Sequence, residues 1–216
     1  MQFEKAYKGI TNIFAAEMIS VCTAILVAVT AVMTFFGVSN DAVLSAAGVL
    51  AIVMGVLAFV AFILQLVGTS QAGKDEPRFT KALACILLGI LASLVGTILQ
   101  LVKLGAYTPI CNAVGELCNI FVTFFVITGI ISLAETVGDD KVRDHGVRNL
   151  KLILGLYIAA FVLHLLGAVL GLVNNESAAQ VLGIIGMVAS IATSLVSIVA
   201  YLYYLDLLNK GRKMLK

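Results

Sequence analysis

Charged residues are scarce in this chain of 216 residues, where 12% are Asp, Glu, Lys or Arg and 61% are apolar. Soluble domains carry about a quarter charged residues. The scarcity of charge, together with a mean hydropathy of +1.09, excludes an ordinary water-soluble domain and predicts a chain that lies in lipid. The basic residues are dispersed along the sequence and form no continuous patch, so we expect no nucleic-acid partner.

Proline and tryptophan are also rare or missing. The two prolines, Pro77 and Pro109, fall between apolar stretches. Because a proline inside a helix removes a backbone donor and kinks the helix, their positions predict helices without a break in mid-membrane. The sequence has no tryptophan, so tyrosine is left to mark the membrane interfaces. Tyr107 is expected near the outer end of the fourth helix, and Tyr201, Tyr203 and Tyr204 near the inner end of the sixth.

Motifs of known enzyme classes are missing as well. The sequence has no HExxH, GxSxG, Walker-type phosphate loop, GxGxxG or CxxC. Its four cysteines do not form a disulfide framework, since Cys22 and Cys85 are expected to face a reducing cytosol. Cys111 and Cys118 lie ~10 Å apart along one helix, too far to bridge. We therefore expect no enzyme activity, no cofactor and no metal, with an intramembrane hydrolase that uses His164 as its base as the alternative.

Six long apolar stretches are what the sequence does contain. Each has the ~20 residues that a helix needs to cross a bilayer. They lack the alternating polar positions of a barrel strand, and lipid offers an exposed backbone amide no partner. The sequence therefore predicts an all-helical integral membrane protein, a single membrane domain with six transmembrane helices. The stretches run over 10–36, 42–67, 82–102, 110–133, 152–173 and 178–205.

The distribution of basic residues predicts the topology. All 14 Lys and Arg residues except Lys103 fall on the same side of the six stretches. Lys and Arg are retained on the cytoplasmic side during membrane insertion. We expect a multi-pass protein of the cell membrane with cytoplasmic N- and C-termini and three hairpins that each run inside, outside and inside again.

The three hairpins resemble one another and suggest an internal repeat. A shift of 71 residues places Gly96 on Gly167 and Glu135 on Asp206, so two consecutive helices share one register, whereas the first helix aligns poorly. Parallel repeats of this kind are related by rotation about the membrane normal, which predicts a pseudo-threefold bundle. The candidate repeats are 6–77, 78–146 and 147–216.

The main candidate site is a polar stripe on the fourth predicted helix. Asn112, Glu116, Asn119 and Thr123 recur at spacings of four, three and four and share one helix face. Glu116 lies ~9 Å inside the outer end of the helix. A carboxylate at that depth is costly unless it is protonated, paired or hydrated, and His164 on the fifth helix lies at a similar depth. This set could bind a cation or pass a proton, or it could hold helices together by hydrogen bonds.

A second stripe on the sixth predicted helix consists of small and weakly polar residues. Membrane helices prefer such residues where two backbones approach closely, so helix packing is favoured over a narrow hydrated path. The second helix has a similar seam in Gly48, Ala51, Gly55 and Ala58. The stripe consists of Gly183, Gly186, Ser190, Ser194, Ser197 and Tyr201.

The remaining charged residues are expected at the membrane surface. Glu17 and Asp206 are predicted near the cytoplasmic ends of their helices, in screened surface pairs. The segment 136–149 mixes both charges with glycine, which favours a solvated loop over a metal site.

These features favour a non-enzymatic accessory or regulatory component of a membrane assembly, acting in the lipid bilayer with another membrane protein or a second copy of the chain as its partner. The alternative is a small-solute, ion or proton-coupled transporter or channel that uses the polar stripe. Transport requires Asn112, Glu116, Asn119 and His164 to converge on a water-accessible cavity. An accessory role requires the same groups to be satisfied by neighbouring helices or to face a partner.

Overall fold

The protein is an all-helical membrane protein, and its computed structural model describes residues 3–36, 41–102, 108–170 and 198–216. Side chains are described for these residues except 35, 36, 41–44, 108–110, 112, 157 and 159–170. The described part contains six helices and no strand. They are α1 (Glu4–Phe36), α2 (Asp41–Ala72), α3 (Pro77–Leu101), α4 (Thr108–Val137), α5 (Asp140–Leu170) and α6 (198–214).

Helices α1 to α4 each contain a segment long and apolar enough to cross a membrane, which confirms the predicted class of fold. These segments are Glu4–Thr34, Ser45–Ala72, Pro77–Leu101 and Ala113–Val137. The predicted fifth and sixth spans run into 171–197, outside the described residues. Among α1 to α5, α1 packs most extensively against α2 and α3 against α4, as expected for two hairpins. The threefold repeat stays a prediction.

The hydrophobic core lies at one end of the bundle, where the N-termini of α1, α3 and α5 meet the C-termini of α2, α4 and α6. We call this the basic end. Ile10 of α1, Phe79 of α3, Ile130 of α4 and Leu207 of α6 are fully buried there. Burial falls away from this end, and the most apolar window of α2 is only 6% buried, against 44% for α4. Helix α4 is therefore the central helix of the described bundle, and α2 is a peripheral one.

Glycine sets the closest helix approach at the basic end. A Cβ added at Gly9 of α1 would lie 2.5 Å from the backbone nitrogen of Ala72 in α2. A Cβ added at Gly68 of α2 would lie 2.7 Å from the carbonyl oxygen of Gly9. Since real Cβ atoms do not approach backbone so closely, α1 and α2 can cross here only because both residues lack a side chain.

The connections at the basic end are short because side chains cap the helices. Glu76 caps α3 by accepting a hydrogen bond from the Arg78 amide, and Pro77 takes the first helical position. Asp75 accepts a hydrogen bond of 2.8 Å from the amide of Ala6 and so caps α1 from the α2–α3 turn. These caps satisfy amides that the first turn of a helix leaves unpaired.

Most of the predicted loop 136–149 is helical, so this prediction is wrong. Gly138, with φ of 81°, ends α4, and the Asp139 carboxylate accepts a hydrogen bond of 3.1 Å from the Val142 amide at the start of α5. A glycine in the left-handed conformation ends one helix, and an Asp N-cap directly after it begins the next. The charges that suggested a loop are paired within the first turns of α5, where Arg143 lies 2.8 Å from Asp140.

Helix α6 is held against two other helices by specific contacts. The fully buried Asn149 of α5 donates a hydrogen bond of 2.8 Å to the carbonyl oxygen of Tyr203. The Arg212 guanidinium of α6 stacks over the Phe14 ring of α1, with 4.2 Å from its central carbon to the ring centroid. These contacts position the polar face of α6 toward α1.

Candidate functional site

A cavity of about 830 Å³ lies between α1, α4, α5 and α6, with one residue, Gln65, contributed by α2. This volume is within the range of small-molecule sites, ~300 to 1,000 Å³. Its described walls are mostly apolar, with a few polar groups set among them, which is the composition of a ligand pocket. The polar residues that line it are Glu17, Ser20, Gln65, Asn119, Thr123, Tyr201 and Tyr204.

Glu17 and Tyr201 form the polar centre of this cavity. The Tyr201 hydroxyl donates a hydrogen bond to Glu17 Oε2 and also lies 3.2 Å from the Glu17 carbonyl oxygen, joining α6 to α1. Glu17 is half-buried and lies ~20 Å along the helix axis from Glu4. It is therefore a cavity residue, although the sequence suggested a screened surface pair. Its role depends on α6, which is distant in sequence, so no local pattern indicated it.

Two of the predicted site residues on α4 line the same cavity. Asn119 and Thr123 are among its described lining residues, and the Thr123 hydroxyl donates a hydrogen bond of 3.2 Å to the Asn119 carbonyl oxygen. Tyr201 of α6, predicted as part of the second stripe, also lines this cavity. Residues from two separately predicted stripes thus meet at one cavity.

The other predicted site residues are not among the described residues that line the cavity. Glu116 is exposed on α4 and is not among the described lining residues. The side chains of Asn112 and His164 lie outside the described part, so the Glu116–His164 pair stays a prediction. The rest of the second stripe, Gly183, Gly186, Ser190, Ser194 and Ser197, also lies outside the described residues.

A second polar cluster joins α5 to α6 at the basic end. His145 Nε2 lies 2.9 Å from Asp206 Oδ2, and Lys210 Nζ lies 2.6 Å from the same oxygen. The hydrogen bond from Lys210 lowers the pKa of Asp206, while burial and then the charge of Lys210 lower the pKa of His145. A neutral His145 that has its hydrogen on Nε2 can donate to Asp206. Within the described ranges, no group of His, Cys, Asp and Glu is arranged to hold a metal ion.

The small-residue seam of α2 has no neighbour in the described structure. Gly48, Ala51, Gly55 and Ala58 are all exposed, and a Cβ added at Gly48 or Gly55 would meet nothing within 4 Å. The spacing of these residues places them along one face of the helix. We call this face the α2 seam.

Comparison of the chain with protein-family models, with curated proteins and with solved structures gives no significant match.

Proposed function

We propose that this protein is a non-enzymatic, multi-pass protein of the cell membrane that acts as an accessory or regulatory component of a membrane assembly. The observation that carries the proposal is the α2 seam, a row of small residues that no described part of the chain covers. The partner is a transmembrane helix of another membrane protein or of a second copy of this chain.

Small residues support this proposal because of how helices associate in lipid. Lipid tails are as apolar as leucine, so helices associate where small residues allow close backbone contact. The same chain already uses such contacts internally, where Gly9 and Gly68 bring α1 and α2 together. An equivalent surface on the outer face of α2 is suited to a helix from outside the chain.

The cytoplasmic orientation of both termini is part of the proposal. It is supported by the gathering of basic side chains at one end of the bundle, including Lys8 on α1, Arg78 on α3 and Lys210 on α6. Basic residues flanking membrane helices are retained in the cytoplasm.

A test of the accessory function is to replace Gly55 with leucine and to identify what co-purifies from native membranes. The expected result is loss of the partner, because a leucine side chain in the seam keeps two helix backbones apart. Gly155→Leu on α5 is the matched control, since a Cβ added at Gly155 also meets nothing within 4 Å. A partner retained equally by both variants and by Gly48→Leu would refute the proposal.

A second candidate function has one observation in its favour. Asn119 and Thr123 of the predicted polar stripe line the cavity that also contains Glu17. This arrangement supports a small-solute, ion or proton-coupled transporter or channel, because a cavity with polar groups inside a helical bundle is where such sites occur. Flux measured in liposomes distinguishes the two functions. Transport through this cavity requires that Glu17→Gln abolish flux, whereas a purely accessory protein supports no flux before or after the substitution.

A further inference from the structure

We propose that the cavity between α1, α4, α5 and α6 binds a lipophilic organic cation, an ammonium or similar charge on an apolar body, with Glu17 as the counter-charge. The inference deepens the second candidate function by naming a class of ligand. It rests on the cavity as a binding site and not on flux.

The charge of the ligand follows from the described walls. Glu17 is the one formally charged side chain among the described lining residues, which include no Lys, Arg or His. A carboxylate removed from water is costly in its ionised form, and a counter-charge stabilises that form. The Tyr201 hydroxyl donates a hydrogen bond to this carboxylate but brings no charge. A cationic ligand would supply the charge that the described walls lack.

The size and apolar character of the ligand follow from the cavity. A bare metal ion binds within a close shell of oxygen ligands, and it would leave most of a cavity of about 830 Å³ unfilled. The walls are formed mainly by aliphatic side chains, including Val21 and Ile25 of α1, Val122 of α4 and Leu156 of α5. These side chains contact an apolar body and contribute to binding by removing it from water.

Two tyrosines add an aromatic surface beside the carboxylate. The rings of Tyr201 and Tyr204 both line the cavity, with centroids 6.3 Å apart and planes inclined at 43°. Aromatic faces attract organic cations through the ring quadrupole. A carboxylate, two aromatic rings and aliphatic walls together form a site for an amphipathic cation.

The ligand can reach this site from the membrane. Ser20, Ala24, Ile25 and Ala28 line the cavity along α1 and are also exposed on the surface of the described bundle. A lipophilic cation partitions into the bilayer and would enter beside these small side chains.

The test is equilibrium binding of tetraphenylphosphonium to the full chain in lipid nanodiscs, with tetraphenylborate as a ligand of the same shape and opposite charge. We expect tetraphenylphosphonium to bind saturably and tetraphenylborate not to compete with it. Glu17→Gln is expected to weaken binding by at least ~30-fold, as for removal of one partner of a buried charge pair. Glu135→Gln is the matched control, because it removes an exposed carboxylate of α4 that is not among the described lining residues.

Several outcomes overturn the inference: no saturable binding of tetraphenylphosphonium, equal competition by tetraphenylborate, or affinity retained within ~3-fold in Glu17→Gln. Loss of affinity in Glu116→Gln with Glu17→Gln unaffected would place the site on the outer part of α4 instead. If Glu17→Gln does not fold, Ala24→Phe tests the same site: its ring intrudes into the cavity and leaves Glu17 in place, so it is expected to weaken binding of tetraphenylphosphonium, and unchanged affinity would overturn the inference. Binding of tetraphenylphosphonium without flux in liposomes would support the inference and refute the transporter function. Failure of the binding site and failure of the transporter function can therefore be told apart.

Discussion

At the scale of single residues, the charges at the basic end are organised by contacts between helices. The His145 ring of α5 lies beside the ion pair of Asp206 and Lys210 on α6, with Arg148 about one turn farther along its own helix. Because Asp206 favours the protonated imidazole while burial, Lys210 and Arg148 oppose it, the balance lowers the pKa of His145. The neutral ring is thus the form that fits this contact.

This balance predicts a pH dependence of stability. The folded pKa of His145 is below its ordinary value of 6.5, so its contribution to stability is fully present above that pH. The contribution is lost as the pH falls through 6.5 toward the lowered pKa, because the unfolded chain binds the proton more readily. We expect the melting temperature in detergent to fall between pH 7 and pH 5.5.

The variant His145→Gln is expected to remove that part of the pH dependence, since glutamine can donate to Asp206 but does not titrate in this range. Asp206 also has a lowered pKa, but its contribution is lost only below the ordinary carboxyl pKa of 3.8, outside this window. Equal pH profiles for His145→Gln and the unmodified protein, measured by thermal unfolding, would show that another group is responsible.

At the scale of helices, glycine has opposite roles at the two ends of α2. Gly68 is enclosed by α1, with the Ile13 backbone nitrogen 2.9 Å from the position of an added Cβ. A Cβ added at Gly48, near the other end of α2, would meet nothing within 4 Å. Glycine therefore allows α1 and α2 to pack closely at the basic end, and farther along α2 it leaves a face of the helix accessible.

Gly68→Leu is expected to destabilise the protein by about 1–3 kcal/mol or more, because the new side chain must push two backbones apart. Gly48→Leu on the same helix is expected to leave the stability of the isolated protein unchanged within about 0.5 kcal/mol. Denaturant unfolding in mixed micelles measures both. A Gly68→Leu variant as stable as Gly48→Leu would mean that the close crossing of α1 and α2 is wrong.

At the scale of the whole molecule, the packing of the described residues is asymmetric along the length of the helix bundle. The buried core and the capped turns lie at the basic end, and the described helix surfaces become exposed away from it. A molecule packed in this way is anchored at one end and has apolar faces available along the rest of its length for lipid or for partner helices.

The proposed orientation predicts the result of labelling intact cells with a membrane-impermeant thiol reagent, in a background where the native cysteines are replaced by alanine. Cysteine in place of Lys141 or Lys213 is expected to react only after permeabilisation. Cysteine in place of Lys103, the basic residue on the opposite side, is expected to react in intact cells. Labelling of the Lys141 position from outside would invert the topology.

What the sequence by itself determined is the helical class, the first four spans and the first two hairpins, because the length of an apolar run and the absence of backbone partners in lipid favour a helix that crosses the bilayer. The polar character of Asn119 and Thr123 on one face of α4 was also readable, since helical spacing is local. The break between α4 and α5 was not recognised, although Gly138 and Asp139 contain the signal, because the surrounding charges suggested solvent.

Only the tertiary structure decided which polar groups share a cavity. Glu17, Asn119 and Tyr201 lie on three helices that are distant in sequence, and they meet because of how those helices rotate and cross. Rotation and crossing depend on contacts such as Gly9 with Gly68 and Arg212 with Phe14, each formed between elements that no local pattern relates. For the same reason the α2 seam, predicted to pack, is open among the described residues: spacing specifies a face of a helix, and only the fold determines what lies against it.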